Sequence, residues 1–338
     1  MNSLARALLD RMPELSVERS AAPALANATQ NLPYLQHTIA ELRDDRHRVE
    51  SAVVVSAGPS LHRRDSVAQL LEHGYDGAVV ATDGALSHCL HCGLVPDYVV
   101  TLDPHSVRVC RWFGDVKLAS RTEHSYFRRQ ELDPRLGVNE RARNQELIEL
   151  VNRHGPRINA VIGTSVFPEV AQRCAQAGLP LYWWNPILDD PDDPAGLTQQ
   201  LYRLNRAPCM VSGGNVGSAA RVFAHSVLGA SDVAVVGMDL GYAPDIPVEK
   251  TQYYPELHAL FGERAKDALV SIYNPHLKET WYADPAYYWY RQGFLEMAAQ
   301  ADCATYNCTE GGTVFGKGLK WMTLKAFLQR RRPRREAR

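Results

Sequence analysis

The sequence predicts an α/β fold in which helices flank a mostly parallel β-sheet. From residue 51, continuous apolar runs such as SAVVV (51–55) alternate with helical segments, and such runs are typical of strands buried on both faces. The helical segment RRDSVAQLLEHG ends at Gly74, and two further apolar runs follow in DGAVVATDGA and DYVVTLDP. Strand and helix in this repeated order indicate βαβ units with right-handed crossovers.

The same alternation continues to Tyr242. INAVIGTS, LPLYWWN and SDVAVVGMDLGY have the composition of further strands, and GGNVGSAARVFAHSVLG reads as a helix rich in small residues. Residues at about 243–282 break the period and contain many Tyr, Pro and Trp residues, which predicts an irregular lid. A helix at about 285–301, the strand CATYN and the helix GLKWMTLKAFLQR complete the predicted elements.

This pattern divides the 338 residues into three parts. Residues 1–50 are an N-terminal helical extension, with two helical segments (about 3–11 and 34–47) separated by an Ala- and Asn-rich stretch. Residues 51–328 are the α/β domain, which includes the lid insertion at about 243–282. Residues 329–338 are a basic tail, which we expect to be a solvated chain end.

Composition excludes several classes of protein. The formal net charge is −1, which argues against a specific nucleic-acid binder, and 45% hydrophobic with 22% charged residues excludes a largely disordered chain. No apolar run is long enough for a transmembrane helix, and the N-terminus lacks the apolar core of a signal peptide, so we expect a cytoplasmic protein. Seven scattered cysteines do not predict a disulfide framework, and homo-oligomer formation stays open.

Two glycine-containing turns have the form of anion sites. Gly58-Pro59-Ser60 follows the first predicted strand, and Ser212-Gly213-Gly214-Asn215 precedes a helix. Glycine allows close approach of the backbone, and a helix N-terminus favours negative charge. Tight turns with ordinary caps are the alternative. Neither GxGxxG nor GxxxxGK[ST] is present, which argues against a dinucleotide-dependent dehydrogenase and a P-loop kinase.

Three acidic residues come directly after predicted strands: Asp83, which precedes Gly84, Asp103 and Asp239. The carboxyl ends of parallel strands meet at one edge of the sheet, where ligands bind. A carboxylate there can hold Mg²⁺ or hydrogen-bond a ribose or base, and helix or turn capping is the alternative for each residue.

In their order along the chain, these motifs resemble the motility accessory factor (Maf) family of bacterial flagellin glycosyltransferases, which transfer nonulosonic acids. The 6-hydroxymethylpterin pyrophosphokinase MptE-like proteins share this superfamily. The matching segments, within about residues 30–328, are VVVSAGPSL, ATDGAL, GLVPDYVVTLDP, SGGNVGSAA, VAVVGMDLGY and YNCTEGGTVFG. The GPSL turn also resembles that of bacterial sialyltransferases, which use CMP-activated donors. The resemblance implies a Rossmann-like, sialyltransferase-like sheet and a nucleotide-activated sugar donor.

The resemblance also implies roles for individual residues. Gly58, Pro59 and Ser60 would approach the phosphate or ribose of the donor. The nucleotide side would be lined by Asp83, Gly84 and Asp103. Asp103 is also a candidate metal ligand. The turn at 212–215 would hold the cytidine or phosphate end. The remaining implied positions are the catalytic Asp239, Tyr242 at the start of the lid, and Glu310 in the far wall.

Three functions follow from this interpretation. The first is transfer of an acidic sugar from a CMP-activated donor to a hydroxyl of a glycan or protein, with His258 as general base and His276 as the next choice. The second is pyrophosphoryl transfer from Mg·ATP to a hydroxymethylpterin-like substrate, which would need Mg²⁺ on the acids at the strand ends. We therefore expect either no required cofactor or Mg²⁺. The third is nucleotide binding without turnover.

Overall fold

The computed structural model describes residues 1–44, 47–104, 107–120 and 140–331. Residues 332–338 of the predicted basic tail lie outside these ranges. Of the elements preceding the gap at 121–139, helices are α1 (Ser3–Asn31), α2 (Ser60–Arg63), α3 (Ser66–His73) and α4 (Asp83–His91), and strands are β1 (His37–Thr38), β2 (Ser51–Val55), β3 (Ala78–Thr82) and β4 (Tyr98–Thr101).

The second half continues the alternation of strand and helix. Its helices are α5 (Glu140–His154), α6 (Pro168–Gln176), α7 (Leu197–Asn205), α8 (Val216–Ser226), α9 (Tyr254–Phe261), α10 (Pro285–Gln300) and α11 (Leu324–Gln329). Its strands are β5 (Asn159–Gly163), β6 (Leu181–Pro186), β7 (Cys209–Met210), β8 (Asp232–Val236), β9 (Val270–Asn274), β10 (Glu279–Ala283), β11 (Ala304–Asn307) and β12 (Leu319–Trp321).

The main sheet is parallel throughout its described pairings, which confirms the predicted fold class. Its strand order is β1-β6-β5-β4-β3-β2-β8-β11-β12, and β7 pairs with β6. From β2 the chain adds β3, β4, β5 and β6 on one side, then crosses over and places β8 on the other side of β2. The order therefore reverses between β2 and β8, and such a switch point leaves a crevice at the carboxyl ends of the two strands.

Helices cover both faces of the sheet, which explains the unbroken apolar runs. In β2, Val54 packs with Phe223 of α8 on one face, whereas Val53 and Val55 pack with Leu70 of α3 and Phe327 of α11 on the other. Because successive residues of a strand point to opposite faces, both sets must be apolar. The sequence pattern and the two-sided burial thus have the same cause.

The N-terminal extension differs from its prediction. One helix, α1, runs through Pro13 and Pro23 and through the Ala-rich stretch that was expected to separate two helices. At its C-terminal end, the side chains of Asn27 and Asn31 are buried and donate to backbone carbonyls after β4 and β5, those of Pro104, Thr164, Ser165 and Val166. At its N-terminal end, Leu4 and Leu8 pack near α9. Alanine favours a helix, and these contacts add to that preference.

The predicted lid has its own secondary structure. Residues 243–282 contain α9 and most of an antiparallel hairpin of β9 and β10, which does not join the main sheet. The predicted helix after it is confirmed as α10, and Asp284 caps it by accepting a hydrogen bond from the Tyr287 amide. Among the described residues, no helix combines the length and apolarity needed to span a membrane.

Candidate active site

A cleft of about 190 Å³ opens at the switch point between β2 and β8. Its walls are the turns after β2, β3 and β8, the first turn of α8, and side chains from the segments around 112, 252 and 287. The lining residues are Ser56, Ala57, Gly58, Pro59, Thr82, Asp83, Gly84, Trp112, Asn215, Val216, Gly217, Gly237, Met238, Asp239, Leu240, Gly241, Tyr242, Gln252 and Tyr287. The position agrees with the rule that ligands bind at the switch point of an open parallel sheet.

The turns after β2 and β8 are joined by Asp239. Its carboxylate accepts hydrogen bonds from the Ser60 hydroxyl and from the Ser60 amide, the latter at 3.1 Å. Asp239 is buried, and burial raises its pKa to about 6, although the bonds to Ser60 and the positive charges of Arg63 and Arg64 oppose the increase. A Cβ on Gly58 would overlap the Asp239 carboxylate, so glycine is required for this close approach.

These contacts occupy the amides of the first predicted anion turn. The Gly58 amide donates to the Gly237 carbonyl at 2.8 Å, Pro59 has no amide hydrogen, and the Ser60 amide donates to Asp239. Gly58 and Pro59 line the cleft, but the turn presents no free N–H group from residues 58–60 to a phosphate. The motif therefore holds two strand ends together.

The second predicted anion turn is shaped by packing on α10. Gly213 and Gly214 have φ values of +60° and +77°, in the left-handed region that glycine adopts most easily. A Cβ on Gly214 would lie 2.7 Å from Trp289 and 2.8 Å from Tyr290, and the Ser212 hydroxyl accepts from the Gly214 amide at 3.3 Å. Of this turn only Asn215 lines the cleft, and its side chain caps α8 by accepting from the Ser218 amide at 2.9 Å.

Asp83 is the second carboxyl group of the cleft. Its oxygens accept hydrogen bonds from the Thr101 hydroxyl and the Gly84 amide, both at 2.7 Å. The pKa of Asp83 is raised to about 7, chiefly by burial and in small part by the nearby charge of Asp103, although the two hydrogen bonds oppose the increase. Asp103 lies outside the cleft lining and is partly buried. Its backbone carbonyl accepts a hydrogen bond from the Phe167 amide at 3.1 Å.

The acids predicted to hold Mg²⁺ do not form one ligand set. Both oxygens of Asp239 are bonded to Ser60, and both oxygens of Asp83 are bonded to Thr101 and Gly84. Across residues 1–44, 47–104, 107–120 and 140–331, no group of three or more His, Cys, Asp or Glu side chains is arranged to hold a metal ion. These residues do not fit Mg²⁺ as a resident cofactor.

An aromatic wall connects the cleft to the lid. The Tyr242 hydroxyl donates to the fully buried Asp284 at 2.6 Å and accepts from the Gln252 amide at 3.1 Å, and the Tyr287 hydroxyl donates to the Gln252 side chain at 2.5 Å. Burial raises the pKa of Asp284 to about 6. Both hydroxyls are therefore bonded within the protein, and the rings of Tyr242 and Tyr287 pack against each other where they line the cleft.

His258 and Glu310 also lie outside the cleft lining. His258 is on the exposed side of α9, because its neighbour Leu257 is the buried residue of that helix. The His258 side chain is 47% accessible, and its Nε2 lies 3.9 Å from Glu263 Oε1. The Glu310 carboxylate accepts from the Leu324 amide at 3.0 Å, and the Glu310 carbonyl accepts from Arg64 at 2.9 Å. Both contacts of Glu310 are within the protein.

The cleft-lining residues that were not predicted as site residues from the sequence include Ser56, Trp112, Gln252 and Tyr287. Ser56 was within reach of prediction, since it directly follows the first buried strand. Trp112, Gln252 and Tyr287 come from segments without a β-α period, so nothing in their local sequence indicated a place in the cleft. None of the described lining residues is Lys, Arg or His.

The fold is that of an α/β protein with a cleft at the switch point of a parallel sheet, and comparisons with known proteins show what the chain resembles. Residues 26–119 match the family model for 6-hydroxymethylpterin diphosphokinase MptE-like proteins. The structure of Maf glycosyltransferase from Magnetospirillum magneticum AMB-1 superposes with a TM-score of 0.57 and 14% sequence identity. The alignment covers 90% of this chain and 38% of that one, so this chain corresponds to well under half of that protein.

No curated protein sequence matches the chain. The two matches above confirm the predicted resemblance to Maf-type and MptE-like proteins. The superposition shows that the fold is shared over nearly the whole chain, whereas the family model matches the segment from the end of α1 to the region beyond β4.

Proposed function

We propose that this protein transfers an acidic sugar of the nonulosonic or sialic type from a CMP-activated donor to an acceptor hydroxyl. The observation that carries the proposal is a cleft at the switch point, bounded by the first turn of α8, in which no described lining residue is basic. Helix N–H groups and the helix dipole can bind one phosphodiester charge. A triphosphate normally requires Lys, Arg or a metal ion as well.

The reaction class requires a proton acceptor. The oxygen of the acceptor hydroxyl forms a bond to the anomeric carbon, the bond from that carbon to the phosphate oxygen breaks, and CMP leaves with the electron pair. The hydroxyl proton passes to a base. Asp83 supports this role because it lines the cleft and its pKa of about 7 lies near the working pH. His258, the base expected from sequence, faces solvent on α9.

Pyrophosphoryl transfer is the second candidate function, and the match of residues 26–119 to MptE-like proteins is the observation that favours it. In that reaction the substrate hydroxyl attacks a phosphate of ATP and AMP leaves. The cleft supports it less well, because the charge of a triphosphate meets two carboxyl groups, Asp83 and Asp239, and no described basic lining residue.

Nucleotide titrations distinguish these functions. We expect CMP to bind in a calorimetric titration and to raise the melting temperature. A CMP concentration of 100 times the dissociation constant adds about 2.7 kcal/mol to the free energy of unfolding. ATP with Mg²⁺ is the comparison. Binding of Mg·ATP without binding of CMP would favour pyrophosphoryl transfer, and binding of neither nucleotide would contradict both candidates. Binding of CMP without turnover of any activated sugar would indicate a nucleotide-binding module.

A further inference from the structure

The first turn of α8 presents donors to the cleft. Asn215 caps this 11-residue helix through the Ser218 amide, and the Ala219 amide donates to the Asn215 carbonyl. The amides of Val216 and Gly217 precede the first intrahelical bond, and no acceptor within the described ranges receives them. Both residues line the cleft, so their N–H groups lie where a ligand can use them.

Ser56 is an independent indication of a ligand at the same place. It follows β2 directly, lines the cleft and is 7% exposed. Its hydroxyl has no hydrogen-bond partner within the part of the chain that the structure describes. Buried hydroxyl groups nearly always have a partner, because removing one from water without a replacement bond is costly.

Gly217 keeps the space between Ser56 and α8 open. A Cβ at position 217 would lie 3.0 Å from Ser56 Oγ and 2.9 Å from Met238 Cε. Either distance would force a neighbour to shift, so any side chain at this position would fill the space in front of the Ser56 hydroxyl. The donor groups of Ser56, Val216 and Gly217 therefore converge on one opening.

We propose that the Ser56 hydroxyl and the amides of Val216 and Gly217 bind the phosphate oxygens of a nucleoside monophosphate or of its sugar ester. Three uncharged donors and a helix N-terminus suit a single phosphate group. The site rests on the proposed function only in taking the nucleotide to be CMP. The residues of this site are not those of the two glycine-containing turns expected from sequence. The amides of the 58–60 turn are occupied, and the glycines at 213–214 pack on α10.

The test compares CMP with cytidine, which lacks the phosphate, in titrations of matched variants. Ser56→Ala is paired with Ser66→Ala, since Ser66 also has a buried hydroxyl without a partner but does not line the cleft. We expect Ser56→Ala to weaken the binding of CMP about tenfold, because one hydrogen bond to a charged acceptor is lost. The binding of cytidine should stay unchanged. Ser66→Ala should change neither affinity.

A second pair tests the space itself. Gly217→Ala should weaken the binding of CMP at least tenfold, a loss of the same order as that of one charge-assisted hydrogen bond. Gly293→Ala is the control and should leave CMP affinity unchanged, because a Cβ there meets only the Gly213 carbonyl at 4.0 Å. Thermal unfolding of each variant without ligand shows that the fold is intact.

Unchanged CMP affinity in folded Ser56→Ala would overturn the site while leaving the proposed function in place. If free sialic acid, rather than CMP, loses affinity in that variant, the group bound is the sugar carboxylate and the phosphate assignment is wrong. If wild type binds AMP but not CMP, and Ser56→Ala weakens AMP tenfold, the phosphate site stands and the proposed donor does not.

Discussion

At the scale of single residues, the site is dominated by buried carboxyl groups. Asp83, Asp239 and Asp284 each accept hydrogen bonds from hydroxyl and amide groups, and burial raises the pKa of each, to about 7, 6 and 6. Such groups are expensive for a fold to keep ionised, and they cluster at functional sites for that reason. Two of the three, Asp83 and Asp239, line the cleft.

The raised pKa of Asp83 predicts how stability depends on pH. Because the pKa in the folded state lies above that in the unfolded state, the contribution of Asp83 is present below about pH 4 and is lost as the pH rises through about 7. Each unit of the increase corresponds to about 1.4 kcal/mol. We expect Asp83→Asn to reduce the fall in unfolding free energy between pH 5 and pH 8, measured by urea denaturation. An equal fall in variant and wild type would contradict the raised pKa.

Asp83 and His258 are alternative bases, and two variants decide between them. A general base typically contributes about 10²–10⁴-fold to the rate, so we expect Asp83→Asn to lower the turnover of a CMP-activated sugar by that order. His258→Ala removes an exposed side chain next to Glu263 and should leave turnover within about twofold, the range expected for a surface substitution. The opposite result, with His258→Ala losing turnover and Asp83→Asn retaining it, would require α9 to bring His258 to the acceptor.

At the scale of elements, α1 connects parts of the chain that are distant in sequence. Its N-terminal residues pack near α9, and its C-terminal asparagines bind the loops after β4 and β5. The Ala- and Asn-rich stretch predicted a break between two helices here, whereas α1 continues through this stretch and through Pro13 and Pro23. Tertiary contacts of this kind cannot be read from local sequence, because each asparagine finds its acceptor more than 70 residues away.

Asn31→Ala tests the attachment of α1. The Asn31 side chain donates to the carbonyls of Thr164 at 3.0 Å and Val166 at 2.9 Å, so its removal leaves two buried acceptors without this donor. We expect a loss of about 1–3 kcal/mol in the free energy of unfolding, measured by chemical denaturation. Thr29→Ala is the matched control, since its exposed hydroxyl bonds only to the Leu25 carbonyl of its own helix. Equal losses in both variants would contradict a specific role for Asn31.

The lid at 243–282 is expected to close over bound nucleotide. Its link to the cleft runs through Gln252, which contacts Tyr242 and Tyr287. A ligand packed on those two rings would stabilise this link, so saturating CMP should slow proteolytic cleavage within the lid. Cleavage at the same rate with and without CMP, at sites mapped by mass spectrometry, would show that the lid does not respond to the ligand.

At the scale of the whole molecule, the shared carboxyl edge of the parallel strands was the part of the site most open to prediction. Gly58, Asp83 and Asp239 are distant in sequence, and all three line one cleft because parallel strands bring their carboxyl ends to the same edge. Glu310 and Gly214 lie outside the cleft lining, and their contacts show that acids and glycine turns also serve capping and packing. Trp112, Gln252 and Tyr287 reach the cleft through long-range packing that no local pattern records.

We expect the cleft to bind a CMP-activated acidic sugar and to transfer that sugar to an acceptor hydroxyl. The most direct measurement is the release of CMP from CMP-activated sialic acid by purified protein, with Mg·ATP and a hydroxymethylpterin in a parallel reaction scored for AMP. We expect release of CMP that rises with added acceptor and that is lost in Asp83→Asn. Formation of AMP and a diphosphorylated pterin, with no release of CMP, would contradict it.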